Sequence, residues 1–330
     1  MTSPVQISAP LFSSLRRKAR YAIIFAIIGV VTIFANLAPG FLTGANLLSV
    51  LVNNVALLAI VSIAMTFAVA SGGIDLSVGT AVDFASFAFI SLVLAGVPVS
   101  VAVVFALLAG GTVGVLNGVL ISIIGISPFL ATLGTLFIGR SVQQLLTNGG
   151  NPVYLPQTSI PEAFSFIGHG RLAGVPVPLI VTLLLVLVTA TLLAKSRFGR
   201  VLTATGIQAS VVRYSGLSVS KTVAAAYVIA GLIAAVAGIV LTATVNVYIP
   251  SSGNAFMLNA IGATFIGTTI HPLRRPNVTG TVLGVLLLGL VSNGLLLSGL
   301  NFYWQQVATG ALIFSVLAFS FKTKSDGVIP

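Results

Sequence analysis

The stretch "LLAIVSIAMTFAVASGGIDLSVGTAVDFASFAFISLVL" (residues 57–94) decides the fold. Two apolar runs meet at a short polar insert that holds Gly72, Gly73, Asp75 and Gly79. Asp75 is one of only four acidic residues in a chain of 330. A run of about 20 apolar residues crosses the hydrocarbon core of a membrane as a helix. A break that exposes backbone there is tolerated only where protein or a water-filled cavity satisfies it. The stretch therefore reads as two membrane helices joined by a sheltered turn.

The rest of the chain repeats this pattern. Hydrophobic residues make up 57% and charged residues 6%, with a mean hydropathy of +1.15; a soluble domain carries about 25% charged residues. The reading is an all-α polytopic membrane protein, with a single transmembrane domain over residues 1–330. Spans are expected near 21–38, 47–70, 80–96, 100–124, 128–146, 177–194, 222–246, 257–270, 278–298 and 303–321, about ten in all. The eighth is short, and the turns after the second and seventh are rich in Gly, Ser and Pro, which leaves room for broken or re-entrant segments. At the N-terminus, "SSLRRKAR" (13–20) precedes "YAIIFAIIGVVTIFANLAPG" (21–40) in the charge order of a signal peptide. Its apolar run exceeds the ~7–15 residues of such a leader and more spans follow, so it reads as a first, uncleaved span.

Net charge is +11 and the isoelectric point is near 10.8, yet the cations are scattered between apolar runs and form no patch for nucleic acid. Cytoplasmic loops of membrane proteins collect Lys and Arg. With the N-terminus inside, the cytoplasmic segments take Arg16, Arg17, Lys18 and Arg20 in residues 1–20, Lys195, Arg197, Arg200, Arg213 and Lys221 in the 195–221 loop, then Arg274, Arg275, Lys322 and Lys324. Only Arg140 and Arg171 fall elsewhere, and both termini are expected to be cytoplasmic. The longest external loop, "NGGNPVYLPQTSIPEAFSFIGHGRLAGVPVP" (148–178), reads as a partner surface or as a connector. An internal echo pairs "VGVLNGVLISIIGISPFLATLGTLFIG" (113–139) with "LGLVSNGLLLSGLNFYWQQVATGALIF" (288–314). It fits an inverted repeat of spans 2–5 and 7–10, an arrangement of transporters with a pathway at the repeat interface.

The chemistry-bearing residues are few. Glycines permit unusual backbone angles at the break, and Ser71, Asp75 and Ser77 can bond amides freed there. Asp75 reads either as a cap for the third helix or as a group lining or gating a polar pathway. Asp83, eight residues on, falls about two helical turns away; it reads as a polar interior position, with proton coupling as the other reading. Asn53, Asn54, Ser62, Thr66, Asn117, Gln143, Gln144, Asn246, Asn259 and Asn293 add neutral polar groups along the spans. As a set they suit an uncharged polyol in transit; singly each also fits an interhelical hydrogen bond. Zero cysteines exclude disulfides and thiolate metal sites, and His169 and His271 stand too far apart in sequence for a metal-ligand motif. No P-loop, H-E-x-x-H or nucleophile elbow is present. The chain is not expected to be an enzyme or to bind a cofactor of its own.

The loop "AKSRFGRVLTATGIQASVVRYSGLSVSK" (194–221) is too polar to span and carries a short helical pattern over Gln208–Tyr214, closed by Gly216. It fits a docking helix for a soluble partner or a surface helix held to lipid by its cations.

"SIAMTFAVASGGIDLSVG" (62–79), "GISPFLATLGTLFIGRSVQQLLTNG" (125–149), "SRFGRVLTATGIQASVVRYSGLSVSK" (196–221), "AAAYVIAGLIAAVAGIVLTA" (224–243), "LNAIGATFIGTT" (258–269) and "NGLLLSGLNFYWQQVATGALI" (293–313) resemble, in order, the permease subunits of ribose-type ABC importers. That resemblance implies a permease subunit of the bacterial plasma membrane. Its implied partners are a second permease chain, identical or a related paralogue, ATP-binding subunits that hold ATP and Mg, and an extracytoplasmic solute-binding protein that delivers a monosaccharide or similar polyol. It also makes residues 206–216 the coupling contact, with Gly206, Gln208, Arg213, Tyr214 and Gly216; Arg274 and Arg275, in a turn where this chain departs from those relatives, read as contacts with the ATPase or with lipid headgroups. The translocation route or gate would include Asn53, Asn54, Thr66, Gly72, Gly73, Asp75, Ser77, Asp83, Asn117, Asn246, Asn259 and Asn293. Two departures leave the sugar open: Asn259 stands where many relatives carry Asp, and "IHPLRRPNVTG" (270–280) replaces a glycine-rich turn. A stand-alone carrier or facilitator for a small polar solute is the competing reading.

Overall fold

A computed structural model describes residues 10–271 and 273–325. Parts of the two terminal segments, residues 1–9 and 326–330, lie outside the described residues, as does Pro272 in the 270–280 turn. The chain is mostly helical. Helix α1 runs Pro10–Leu37, α2 Gly44–Ser49 and α3 Leu57–Ala70. A π-helical segment, Val50–Ala56, fuses α2 to α3. Then come α4 Val78–Leu94, α5 Val99–Ser122, α6 Pro128–Leu146 and the short α7 Glu162–His169. Helices α8 Val177–Lys195, α9 Arg197–Tyr214, α10 Val219–Val245, α11 Asn254–Thr268, α12 Val278–Leu297 and α13 Phe302–Ser325 complete the order.

Among the described residues, five helical stretches are long and apolar enough to cross a membrane: Gly44–Ala70, Val99–Ser122, Val177–Lys195, Val219–Val245 and Val278–Leu297. Ile23–Leu37 and Val78–Leu94 are shorter apolar helices. This is the architecture of a polytopic membrane protein. Helix starts follow local chemistry: the side chains of Ser196 and Asn277 accept from the amides of Gly199 (2.9 Å) and Gly280 (2.6 Å), and Pro128 opens α6, where a missing N–H costs nothing.

Helix α3 forms the centre. All of Leu57–Ala70 except Val69 is buried, against α4, α8, α9, α10, α11 and α12. Helix α10 packs on α5, α4 and α3, and α3 packs in turn on α10, α11 and α12. Small residues let these helices approach closely, as van der Waals packing between membrane helices requires. Gly110, Gly114 and Gly118 recur every fourth residue on α5; a β-carbon at Gly114 would meet the Tyr227 carbonyl and lie 3.0 Å from the Val228 Cα on α10. On the other side, Gly280 and Gly284 of α12 face Gly267 and Ala263 of α11.

The loop after α6 folds back onto the bundle. Val153–Tyr154 (β1) pairs antiparallel with Val247–Tyr248 just after α10, and Phe164 of α7 stacks on Phe89 of α4 at 5.1 Å between ring centres. A second small hairpin pairs Arg171–Leu172 with Val175–Pro176.

Candidate functional site

Helix α3 ends in a Schellman turn. Gly72, at φ +92°, donates its N–H to the Val69 carbonyl and Gly73 donates to Ala68, at 3.0 and 3.1 Å. The left-handed backbone at Gly72 is the conformation that favours glycine. Gly73 is fixed by crowding instead, since a β-carbon would press on Pro128 of α6 and the Tyr227 hydroxyl of α10, both 2.6 Å away.

The chain then crosses to α4 through a buried polar knot. Asp75 Oδ1 accepts from the Ser77 N–H at 2.8 Å and the Ser77 hydroxyl at 2.6 Å, the local turn that Asp forms with the residue two positions on. Asn117 Nδ2 of α5 donates to Ser77 Oγ at 2.6 Å, and Thr135 of α6 donates to Asn117 Oδ1 at 2.7 Å. Thr132 accepts from the Leu76 amide at 3.1 Å. Four residues expected at the site from sequence, Gly72, Gly73, Asp75 and Ser77, thus form one turn tied to Asn117. Asp75 is 5% exposed, and its carboxylate orders the turn before α4; the first-turn cap position itself belongs to Ser77.

The break also carries a contact no local pattern announced. Gly206 of α9 lies against it: a β-carbon on Gly72 would sit 3.2 Å from the Gly206 Cα, and one on Gly206 would strike the Ala70 carbonyl. Helix α9 is bent at Gln208, whose backbone is extended (φ −158°, ψ 94°). Beyond the bend Arg213 and Tyr214 are exposed, Tyr214 to 90%, and Gly216 at φ +74° ends the helix.

Other expected residues lie apart from this knot. Thr66, buried one turn up α3, shares a 2.8 Å hydrogen bond with Thr281 of α12 and donates to the Ser62 carbonyl. Asn293 of α12 exchanges amide hydrogen bonds with Asn46 of α2, at 3.0 and 3.2 Å. Asn53 and Asn54 sit on the π-helical segment, Asn53 exposed and bonded to Ser49, Asn54 half-buried. Asn259 is half-buried on α11, and Asn246 caps α10 in left-handed conformation. Asp83 does not pair with Asp75. It is fully buried on α4 and holds the second break, between α10 and α11, accepting from the Gly253 amide at 2.7 Å and the Ser252 hydroxyl at 3.2 Å. Gln143 of α6 joins it there, its Oε1 accepting from the Ser251 amide at 2.8 Å and the Tyr248 hydroxyl at 3.1 Å. Arg274, at φ +49°, and Arg275 lie in the turn before α12.

Thr132, Thr135 and Gln143 were therefore underweighted as site residues. The signal was available: with Gly139 they recur at three- and four-residue steps and form the buried face of α6, while Phe129, Leu130, Phe137 and Ile138 face outward. In a membrane helix the polar stripe, not the apolar one, points at the protein.

The family model of the branched-chain amino acid transport system / permease component matches residues 46–317. The ribose import permease protein RbsC of Bacillus subtilis is 34% identical over 284 residues, 86% of this chain and 87% of the relative. The protein of the same name from Escherichia coli K12 is 32% identical over 290 residues, 88% and 90%. The D-allose transport system permease protein AlsC of Escherichia coli K12 is 32% identical over 303 residues, 91% and 90%. No solved structure matches the chain.

Proposed function

The chain belongs to the family of branched-chain amino acid transport system permease components, and from that premise we propose that it is the membrane subunit of an ATP-driven bacterial importer for a monosaccharide or similar polyol. The observation that carries this reading is near-full-length likeness to permeases named for ribose and D-allose import. The chain resides in the bacterial inner membrane with both termini cytoplasmic, and about ten of its helices span. Spans 2–5 and 7–10 form the inverted repeat. The exchange of partners, α10 on α4 and α5 against α3 on α11 and α12, supports it, as does the presence of a polar break after both α3 and α10.

The permease works as a dimer with a second copy or a related paralogue, receives sugar from an extracytoplasmic binding protein, and carries no catalytic group. ATP and Mg reside on separate ATP-binding subunits. Those subunits dock on the exposed second half of α9, around Arg213 and Tyr214. The close approach of Gly206 to Gly72 supports a mechanical route: displacement of α9 pushes directly on the turn that holds Asp75, Ser77 and Asn117. Exposed Asn53, on a π-helical segment of the kind frequent at functional sites, faces away from the chain's own core and lines the pathway at the dimer contact.

The test is isolation of the chain from its native membrane in mild detergent with the stoichiometry of what accompanies it, followed by uptake in proteoliposomes. Two permease chains with two ATP-binding subunits, and uptake that needs ATP, are expected. Reproducible transport by the lone chain without ATP would replace this reading with a stand-alone carrier.

A further inference from the structure

A cavity of about 510 Å³ opens between the end of α8, the first half of α9 and the turn before α12. Its lining includes Lys195, Arg200, His271 and Arg275, together with Thr191 and Asn277, and no carboxylate. Among the described residues the only acidic groups are Asp75, Asp83 and Glu162, and all are engaged or placed elsewhere. Lys195, Arg200 and Arg275 therefore converge with no carboxylate beside them among the described residues. Arg200 Nη1 is anchored to the Lys195 carbonyl at 2.9 Å, which holds its guanidinium at the mouth. Arg275 Nε is buried with no hydrogen-bond partner. The first turn of α12, from Asn277 to Thr279, forms part of the wall and adds the positive end of a 20-residue helix.

The apolar side of the cavity selects among anions. Leu184, Leu187, Val188, Thr191, Ala194 and Lys195 lie at three- and four-residue steps on one exposed stripe of α8, and Leu184, Leu187 and Val188 are each more than half exposed. The stripe leads from the apolar surface of a spanning helix into the basic cavity. A free anion has no use for such a track, whereas a molecule with a phosphate head and acyl chains fits both parts.

We propose that this cavity is a binding site for the phosphodiester headgroup of an anionic phospholipid, with Lys195, Arg200 and Arg275 on the phosphate and the acyl chains along the Leu184–Val188 stripe. A zwitterionic headgroup brings its own ammonium into the cationic pocket and is disfavoured. This site stands apart from the transport pathway and does not rest on the importer reading.

Native mass spectrometry of the full-length chain in detergent, titrated with dioleoylphosphatidylglycerol, dioleoylphosphatidylcholine or inorganic phosphate, tests it. Phosphatidylglycerol should be retained in preference to phosphatidylcholine on the wild-type chain. Each of Lys195→Gln, Arg200→Gln and Arg275→Gln should weaken that retention about five-fold, the loss of roughly one cation near a phosphate surface, while Arg171→Gln leaves it unchanged. Equal retention of the two lipids by the wild-type chain would overturn the proposal and leave the cations to a protein partner. Displacement of phosphatidylglycerol by millimolar inorganic phosphate would also overturn it, by assigning the cavity to free phosphate.

Discussion

Asp75 illustrates how a carboxylate is kept in so apolar a chain. Its Oδ1 accepts two hydrogen bonds from Ser77, and Ser77 in turn accepts from Asn117. What the turn uses is the position of an acceptor, so charge and geometry can be separated by substitution. Asp75→Asn keeps Oδ1 and should retain folding and most uptake. Asp75→Ala leaves the Ser77 N–H and hydroxyl without their partner, a loss of about 1–3 kcal/mol for buried polar groups, and should lower the melting temperature in detergent together with uptake. Loss of uptake in Asp75→Asn with unchanged melting would show instead that the charge itself serves transport. The residue type and its glycine neighbours were legible in the sequence; the identity of the acceptor network was not. Asn117, Thr132 and Thr135 lie 40 to 60 residues downstream, and only the packing of α5 and α6 onto α4 brings them to the turn.

Helix positions were read with fair accuracy because each apolar run has to satisfy its own backbone within the run, so the signal is local. Contacts between elements carry no such signal. The 194–221 loop reads equally well as a docking helix or a surface helix, and the seating of Gly206 on the α3 break is a contact that neither reading announces. The pairing of Val153–Tyr154 with Val247–Tyr248 was hidden for the same reason, since nearly a hundred residues intervene. The seating of α9 makes a prediction in two parts. Gly206→Ala places a methyl against the Ala70 carbonyl and should lift the first half of α9 off the break; Arg213→Ala removes an exposed cation beyond the bend without touching the core. In the reconstituted complex both should leave ATP hydrolysis measurable while uptake falls at least several-fold, an uncoupling that follows from separating the two halves of the contact. Uptake that stays proportional to hydrolysis in both variants would return α9 to the role of a surface helix.

Across the molecule, the two halves are interlocked rather than juxtaposed. Asp83 and Gln143 of the first half hold the break of the second, and α3 is enclosed by α11 and α12. Thr66, Thr264 and Thr281 are fully buried at that junction, with Thr66 and Thr281 hydroxyls 2.8 Å apart and Thr264 donating to the Ser62 carbonyl. Close-packed interiors move as units or repack between discrete states; they do not deform continuously. Sliding α3 along α12 would break these buried hydrogen bonds, so the halves should travel as one body, and in the proposed dimer access should alternate at the contact between permease chains and at the α9-linked turn. The chain contains no cysteine, which makes the idea directly testable. Thr66→Cys with Thr281→Cys places two sulfurs where two hydroxyls already touch, close enough for a disulfide once the helices settle. Oxidation should cross-link α3 to α12, visible as altered mobility after cleavage between the halves, and uptake should persist. Uptake abolished by oxidation and restored by reductant would mean that α3 slides against α12 during the cycle, and the motion would then have to be sought inside the chain, between its two halves.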